Sequence, residues 1–143
     1  HMVEELLRNG AEPKKIILFD GVCNVCNGFV QFIIKRDKED LFHFASLQSE
    51  IAQKLLSERK IDAQKIDSVV LIEPEVAYYL KSDAALEIGK ELKGYRTLSK
   101  IFELIPKTLR NIVYDLIARN RYSWFGKKDE CMIPTPEIKS KFL

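Results

Sequence analysis

The sequence predicts an α/β domain, a mixed β-sheet flanked by helices with additional helices toward the C-terminal end, and three observations lead there. A continuous apolar run, Ile16-Ile17-Leu18-Phe19, is followed at once by Asp20-Gly21 and then by apolar positions at helical spacing. Two further runs, Ser68-Val69-Val70-Leu71-Ile72 and Val76-Ala77-Tyr78-Tyr79-Leu80, are separated only by Glu73-Pro74-Glu75. So short a link demands an antiparallel hairpin. Elsewhere strand-like and helix-like segments alternate, the pattern of a sheet covered by crossover helices.

Taken in order, residues 1–15 form a polar, flexible lead-in, within which His1-Met2 reads as a remnant of cloning. His43 is then the single native histidine. Residues 16–19 form a buried strand and Asp20-Gly21 its turn. A helix starts near Cys23 and runs to about Asp37, with Cys26, Phe29, Val30 and Ile33 on its inner stripe and Phe32 and Ile34 widening it. Gly28 inside it costs about 1 kcal/mol relative to alanine, which suggests a close backbone approach or a bend.

Phe42-His43-Phe44-Ala45 alternates like a strand, and Ile51, Ala52, Leu55 and Leu56 mark a second amphipathic helix ending before Asp62. After the hairpin, Ser82 is placed to cap a helix whose Ala84, Ala85, Ile88 and Leu92 face inward. The order β-α-β-α-β-β-α is the thioredoxin topology. Beyond it lie a helical segment near Ser99 to Ile105 and another after Pro106, where Leu109, Ile112, Val113, Leu116 and Ile117 share a face. The expectation is one thioredoxin-like domain over residues 1–143, with 99–143 as a C-terminal helical extension and tail.

At 143 residues, with 46% hydrophobic and 31% charged, the chain is sized for one core. No stretch reaches the roughly 18 uninterrupted apolar residues of a membrane span, and the amino terminus lacks a basic-then-apolar signal pattern, so the cytoplasm is the expected location. The net charge of +2 is too small to argue for nucleic acid. It is unevenly spread, however: residues 1–95 hold 13 Lys/Arg against 16 Asp/Glu, and residues 96–143 hold 10 against 5. The basic, aromatic run Arg119-Asn120-Arg121-Tyr122-Ser123-Trp124-Phe125-Gly126-Lys127-Lys128 is expected to pack its rings on the domain and solvate its charges.

Three cysteines make an odd count with no disulfide framework. In a reducing compartment the close pair Cys23-Asn24-Val25-Cys26 points to redox or metal chemistry. Residues three apart on a helix share a face, so the two sulfurs can meet at disulfide distance. The first helical turn presents unpaired N–H groups and the positive end of the dipole, which favour a thiolate at Cys23. Cys23 is therefore the candidate nucleophile, exposed to solvent, and Cys26 the covered resolving thiol. Asp20 is a candidate acceptor for the Cys26 proton, with a plain turn-forming or capping role as the alternative.

The residues Phe19-Asp20-Gly21-Val22-Cys23-Asn24-Val25-Cys26 resemble the signature of the DCC family of thiol-disulfide oxidoreductases, named for its Asp-x-x-Cys-x-x-Cys motif. The similarity extends to the Ser68 to Ile72 strand and its hairpin and to the Tyr122-to-Pro134 tail, with Trp124-Phe125-Gly126 and Cys131. It implies a thioredoxin-like fold and a catalytic dithiol at Cys23 and Cys26, with Asp20 beside it. Thioredoxins place a cis-proline before the third strand, but here Ile66-Asp67 stands there and Pro74 falls in the hairpin turn.

A dithiol of this kind needs no bound cofactor, because the electrons reside on the cysteines. Its expected partners are a disulfide or thiol substrate, protein or small molecule, and an external reductant. Two alternatives stand beside it. One is a non-catalytic redox sensor or interaction module. The other is a zinc site in which Cys131 and His43 join the pair. Cys131 otherwise covers the core or traps a disulfide. A phosphotransfer role for Asp20 fails because the pattern wants a second aspartate where Val22 stands. Substrate, reduction potential, direction of electron flow and oligomeric state are not written in the sequence.

Overall fold

A computed structural model describes residues 15–37, 40–62, 69–74, 76–127, 136 and 141–142. Most of the lead-in, Ile66-Asp67, Ser68 and Cys131 lie outside them. The apolar run becomes β1 (Lys15–Phe19), starting one residue before the prediction, and it feeds α1 (Asn24–Arg36). There follow β2 (Phe42–Ser46), α2 (Glu50–Glu58), the hairpin strands β3 (Val69–Glu73) and β4 (Ala77–Leu80), and α3 (Lys81–Glu91). This is the predicted order.

The sheet runs β2-β1-β3-β4. β1 pairs in parallel with β2, Ile17 opposite Phe44, because the α1 crossover returns the chain in the same direction. It pairs antiparallel with β3, Ile17 opposite Leu71, and β3 with β4, Leu71 opposite Tyr79. Both inner strands are covered on two faces, which is why β1 reads as unbroken apolar sequence rather than as an alternation. On one face Ile17, Phe19, Phe42, Phe44 and Leu71 pack on Val30 and Ile33 of α1 and on Ala84 and Ile88 of α3. On the other, Ile16, Leu18, Val70 and Ile72 pack on Ala52, Leu55 and Leu56 of α2.

Local polar contacts set the element ends. Asp37, buried at the close of α1, accepts the amides of Leu41 (2.9 Å) and Phe42 (3.0 Å) and so aims the chain into β2. Ser49 caps α2 by accepting the Ala52 amide at 3.2 Å.

Several predicted details change. The third helix begins at Lys81, which takes φ +52° and turns the chain out of β4 with no intervening loop. Ser82 is therefore inside α3 rather than its cap, and its hydroxyl lies 2.5 Å from Asn111 Oδ1. Ala84, Ile88 and Leu92 are buried as predicted, but Ala85 is exposed. Gly28 also departs from expectation, since nothing lies within 4 Å of where its Cβ would be. No close approach accounts for it.

The extension comprises α4 (Arg96–Phe102), α5 (Lys107–Arg119) and α6 (Arg121–Phe125). α4 is shifted toward the N-terminus of its predicted span, because the chain turns at Glu103 and Leu104 ahead of Pro106. α5 is held to the start of α3 by polar links. Arg110 bonds Asp83 (3.1 Å), Lys107 pairs with Asp83 (2.8 Å) and Lys81 with Asp115 (2.9 Å). Its apolar residues Leu109, Ile112, Val113 and Leu116 consequently point outward and are exposed.

Candidate functional site

The site grows from the strand-to-helix turn. Asp20 ends β1, and its carbonyl accepts the Cys23 amide at 3.2 Å across Gly21 and Val22. Gly21 packs closely on the end of β2: a Cβ there would fall 2.7 Å from Ser46 Oγ and displace that side chain. That closeness lets Gln48 reach over from the end of β2, accepting the Gly21 amide at 3.0 Å. From the helix side, Asn27 Nδ2 donates to the Gly21 carbonyl at 3.1 Å.

Cys23 is the N-cap of α1, in extended conformation, and its Sγ accepts the Cys26 amide at 3.4 Å. A sulfur here occupies the place where a serine or aspartate oxygen ordinarily satisfies a free amide of the first turn. No acidic residue stands in that turn to compete for it. Both cysteines are free thiols. Burial pushes the Cys26 thiol above the ordinary range. The bond to Cys23, the charge of Cys23 and the charge of Asp20 push the same way, and Arg121 offsets part of this.

Asp20 is 2% exposed and has four donors around its carboxylate. Oδ1 accepts the Val22 amide (3.2 Å) and Gln48 Nε2 (2.8 Å), while Oδ2 accepts Arg121 Nε (3.1 Å) and the Tyr122 hydroxyl. Burial by itself raises the Asp20 pKa, but the bonds from Tyr122, Gln48, Val22 and Arg121 outweigh it and hold the carboxyl below its usual range. Asp20 thus remains a fully bonded anion. Arg121 and Tyr122 were not picked out in the sequence, being about a hundred residues away from their partner. The signals there were their place in the basic, aromatic run and, for Tyr122, the start of the tail that resembles the DCC family.

That run follows expectation at Arg119 and Lys127, which are exposed, and at the half-buried Tyr122, but not at Arg121, Trp124 and Phe125. The guanidinium of Arg121 is drawn inward, because a buried carboxylate without a counter-ion is costly. Trp124 and Phe125 instead stay 55% and 46% exposed. Just beyond them the backbone crosses the dithiol: Cys23 pairs with Lys127 in an antiparallel bridge, Asn24 donates its amide to Gly126 O (3.4 Å), and Asn24 Nδ2 donates to Phe125 O (2.9 Å). Under this strap Cys23 is 0% exposed. The predicted open first cysteine is therefore covered, by a segment that the local motif does not encode.

The structure brings Asp20, Cys23 and Cys26 together and leaves His43 apart. His43 pairs with Ile16, three rungs from the Phe19–Ser46 pair beside the site, roughly 10 Å along the strand. Among the described residues no group of three or more His, Cys, Asp or Glu is arranged to hold a metal.

A family model for DCC1-like thiol-disulfide oxidoreductases matches residues 17–127, from within β1 to the residue bridged to Cys23. The chain belongs to this DCC1-like family. Its relatives include the uncharacterized protein YuxK of Bacillus subtilis (strain 168), 51% identical over 131 residues, covering 92% of this chain and 95% of that one. A DCC family protein of Arabidopsis thaliana, described as chloroplastic, is 39% identical over 121 residues, 84% of this chain and 70% of the plant protein. No solved structure matches. The family supports thiol-disulfide chemistry, and no helix among the described residues is long and apolar enough to cross a membrane.

Proposed function

We propose that this DCC1-like protein is a thiol-disulfide oxidoreductase in which Cys23 is the nucleophile and Cys26 the resolving thiol. The observation that carries the reading is the Cys26 amide directed at Cys23 Sγ at the head of α1, with the Cys26 thiol kept protonated beside it. The Cys23 thiolate attacks one sulfur of a substrate disulfide, forming a mixed disulfide and releasing the first thiolate. Cys26 then attacks the Cys23 sulfur, its proton passing to the departing second thiolate. Two protein thiols become one disulfide while the substrate disulfide becomes two thiols, and an external thiol reductant of the cytoplasm resets the pair.

The sequence left Asp20 open between accepting the Cys26 proton and a turn-forming or capping role; a carboxylate already holding four donors is a poor base, and its bond from the Val22 amide fits the turn-forming role. We assign it instead to keeping Cys26 protonated by its charge until Cys23 has reacted, and to anchoring Arg121.

Mass spectrometry after exposure to a small disulfide tests the scheme. The wild type is expected to lose two hydrogens, Cys26→Ser to accumulate a mixed disulfide at Cys23, and Cys23→Ser to form none. A Cys23→Ser variant that traps substrate as well as Cys26→Ser does would refute the assignment.

The covering of Cys23 by the Phe125–Lys127 strap favours a second reading, a redox sensor in which disulfide formation displaces the strap. Multiple turnovers with excess disulfide and reductant distinguish the enzyme from a sensor that oxidises once.

A further inference from the structure

Beside the dithiol lies a cavity of about 190 Å³ lined by Cys26, Phe29, Val69, Ala85, Tyr114, Ile117, Ala118 and Arg121. Five secondary-structure elements contribute to it. Cys26 and Ala118 are each 4% exposed and form its floor, whereas Ala85 and Ile117 are exposed and form its rim. Its walls are almost wholly apolar, since Arg121 turns its Nε to Asp20 and its Nη1 to the Ala118 carbonyl at 2.6 Å. A benzene ring fits in a hollow of about 150 Å³, so the volume is sufficient for one, and the exposed rim leaves the hollow open to an incoming molecule. The room exists because Ala85 and Ala118 stand where larger side chains would fill it. The cavity borders Cys26, whose amide lies 3.4 Å from Cys23 Sγ, and none of the strap residues Phe125, Gly126 and Lys127 lines it.

We infer that this cavity holds the apolar half of the substrate, and that the preferred substrate is a small disulfide bearing an aryl or short alkyl group. The inference rests on the thiol-disulfide reading and narrows it. With the apolar group seated over Cys26, its sulfur is held next to Cys23. Attack by the Cys23 thiolate there expels the polar half as a thiolate. Attack by Cys26 on Cys23 then releases the apolar thiol, which takes the Cys26 proton, and the protein is left with a Cys23–Cys26 disulfide.

Single-turnover oxidation of the reduced full chain by benzyl 2-hydroxyethyl disulfide and by bis(2-hydroxyethyl) disulfide provides the test, followed by alkylation and intact mass. The benzyl compound is expected to react at least roughly tenfold faster, the scale on which apolar pockets discriminate. Ala85→Leu, a change at the exposed rim that fills the cavity, should abolish that preference. In parallel, benzyl alcohol titrated into the reduced protein should shift the NMR methyl signals of Val69, Ala85 and Ala118 saturably. Equal rates with both disulfides and no saturable shift overturn the cavity assignment and leave the oxidoreductase reading standing. Oxidation by neither disulfide removes the oxidoreductase reading and, with it, the substrate role of the cavity.

Discussion

Asp20 and Arg121 are the most consequential pair of residues in the molecule after the cysteines, because Asp20 is buried, Arg121 is largely withdrawn from solvent, and each neutralises the other. Replacing Asp20 by Asn strands the guanidinium, and we expect Asp20→Asn to lose roughly 3 kcal/mol at neutral pH. The pH dependence has a definite sign. A carboxyl with a depressed folded-state pKa stabilises the fold above its unfolded value of about 3.9 and ceases to do so as pH falls through the lower folded value. Urea midpoints of the wild type and Asp20→Asn should therefore converge on acidification below about pH 4. A separation that stays constant from neutral to acid pH would contradict the assignment.

Element-scale expectations concern α1 and the strap. Gly28 is helical, exposed and unopposed, so Gly28→Ala should stabilise the protein by up to about 1 kcal/mol, read as a higher urea midpoint at unchanged slope. A fall in the midpoint would mean that the glycine relieves a contact not visible here. Gly126 is the opposite case, with φ +89° and a would-be Cβ 2.7 Å from Asn24 Nδ2. With ψ 166° it occupies a region open essentially to glycine alone, and alanine there introduces roughly 1–3 kcal/mol of backbone strain. Because the strap covers Cys23, iodoacetamide should label Cys23 in Gly126→Ala roughly tenfold faster, one decade corresponding to about 1.4 kcal/mol. Equal labelling rates would show that the strap does not limit access.

For the whole molecule, the C-terminal extension contributes to the site while exposing much of its own apolar surface. Leu109, Ile112, Val113 and Leu116 on α5 lie outward, together with Leu98, Ile101, Phe102 and Leu104 around α4. An apolar patch of this kind is expected to bind a hydrophobic dye in the native state. Leu109→Lys with Ile112→Lys should cut that fluorescence severalfold and alter stability by no more than about 0.5 kcal/mol, as for surface positions generally. A large loss of stability would instead show that this face is packed. The polar links from Asp83, Lys81 and Ser82 to α5 explain the arrangement, because they hold the helix by its charged side and leave the other side outward.

Much of this was legible locally. Unbroken apolar residues in β1, the three-residue hairpin link and helical spacing after Cys23 specify the four-stranded α/β order, since pattern and turn length act between neighbours along the chain. The Cys23–Cys26 pair and its place at a helix start follow from the same short stretch. What lay beyond local reading depends on contacts across about a hundred residues. Arg121 and Tyr122 meet Asp20, and Lys127 meets Cys23, because the sheet and the docked α5 bring together residues far apart along the chain. The side that α5 turns outward was likewise decided by charges on another helix, which no periodicity within α5 encodes. Tertiary packing alone therefore determined that the first cysteine is covered and that the second borders an apolar hollow.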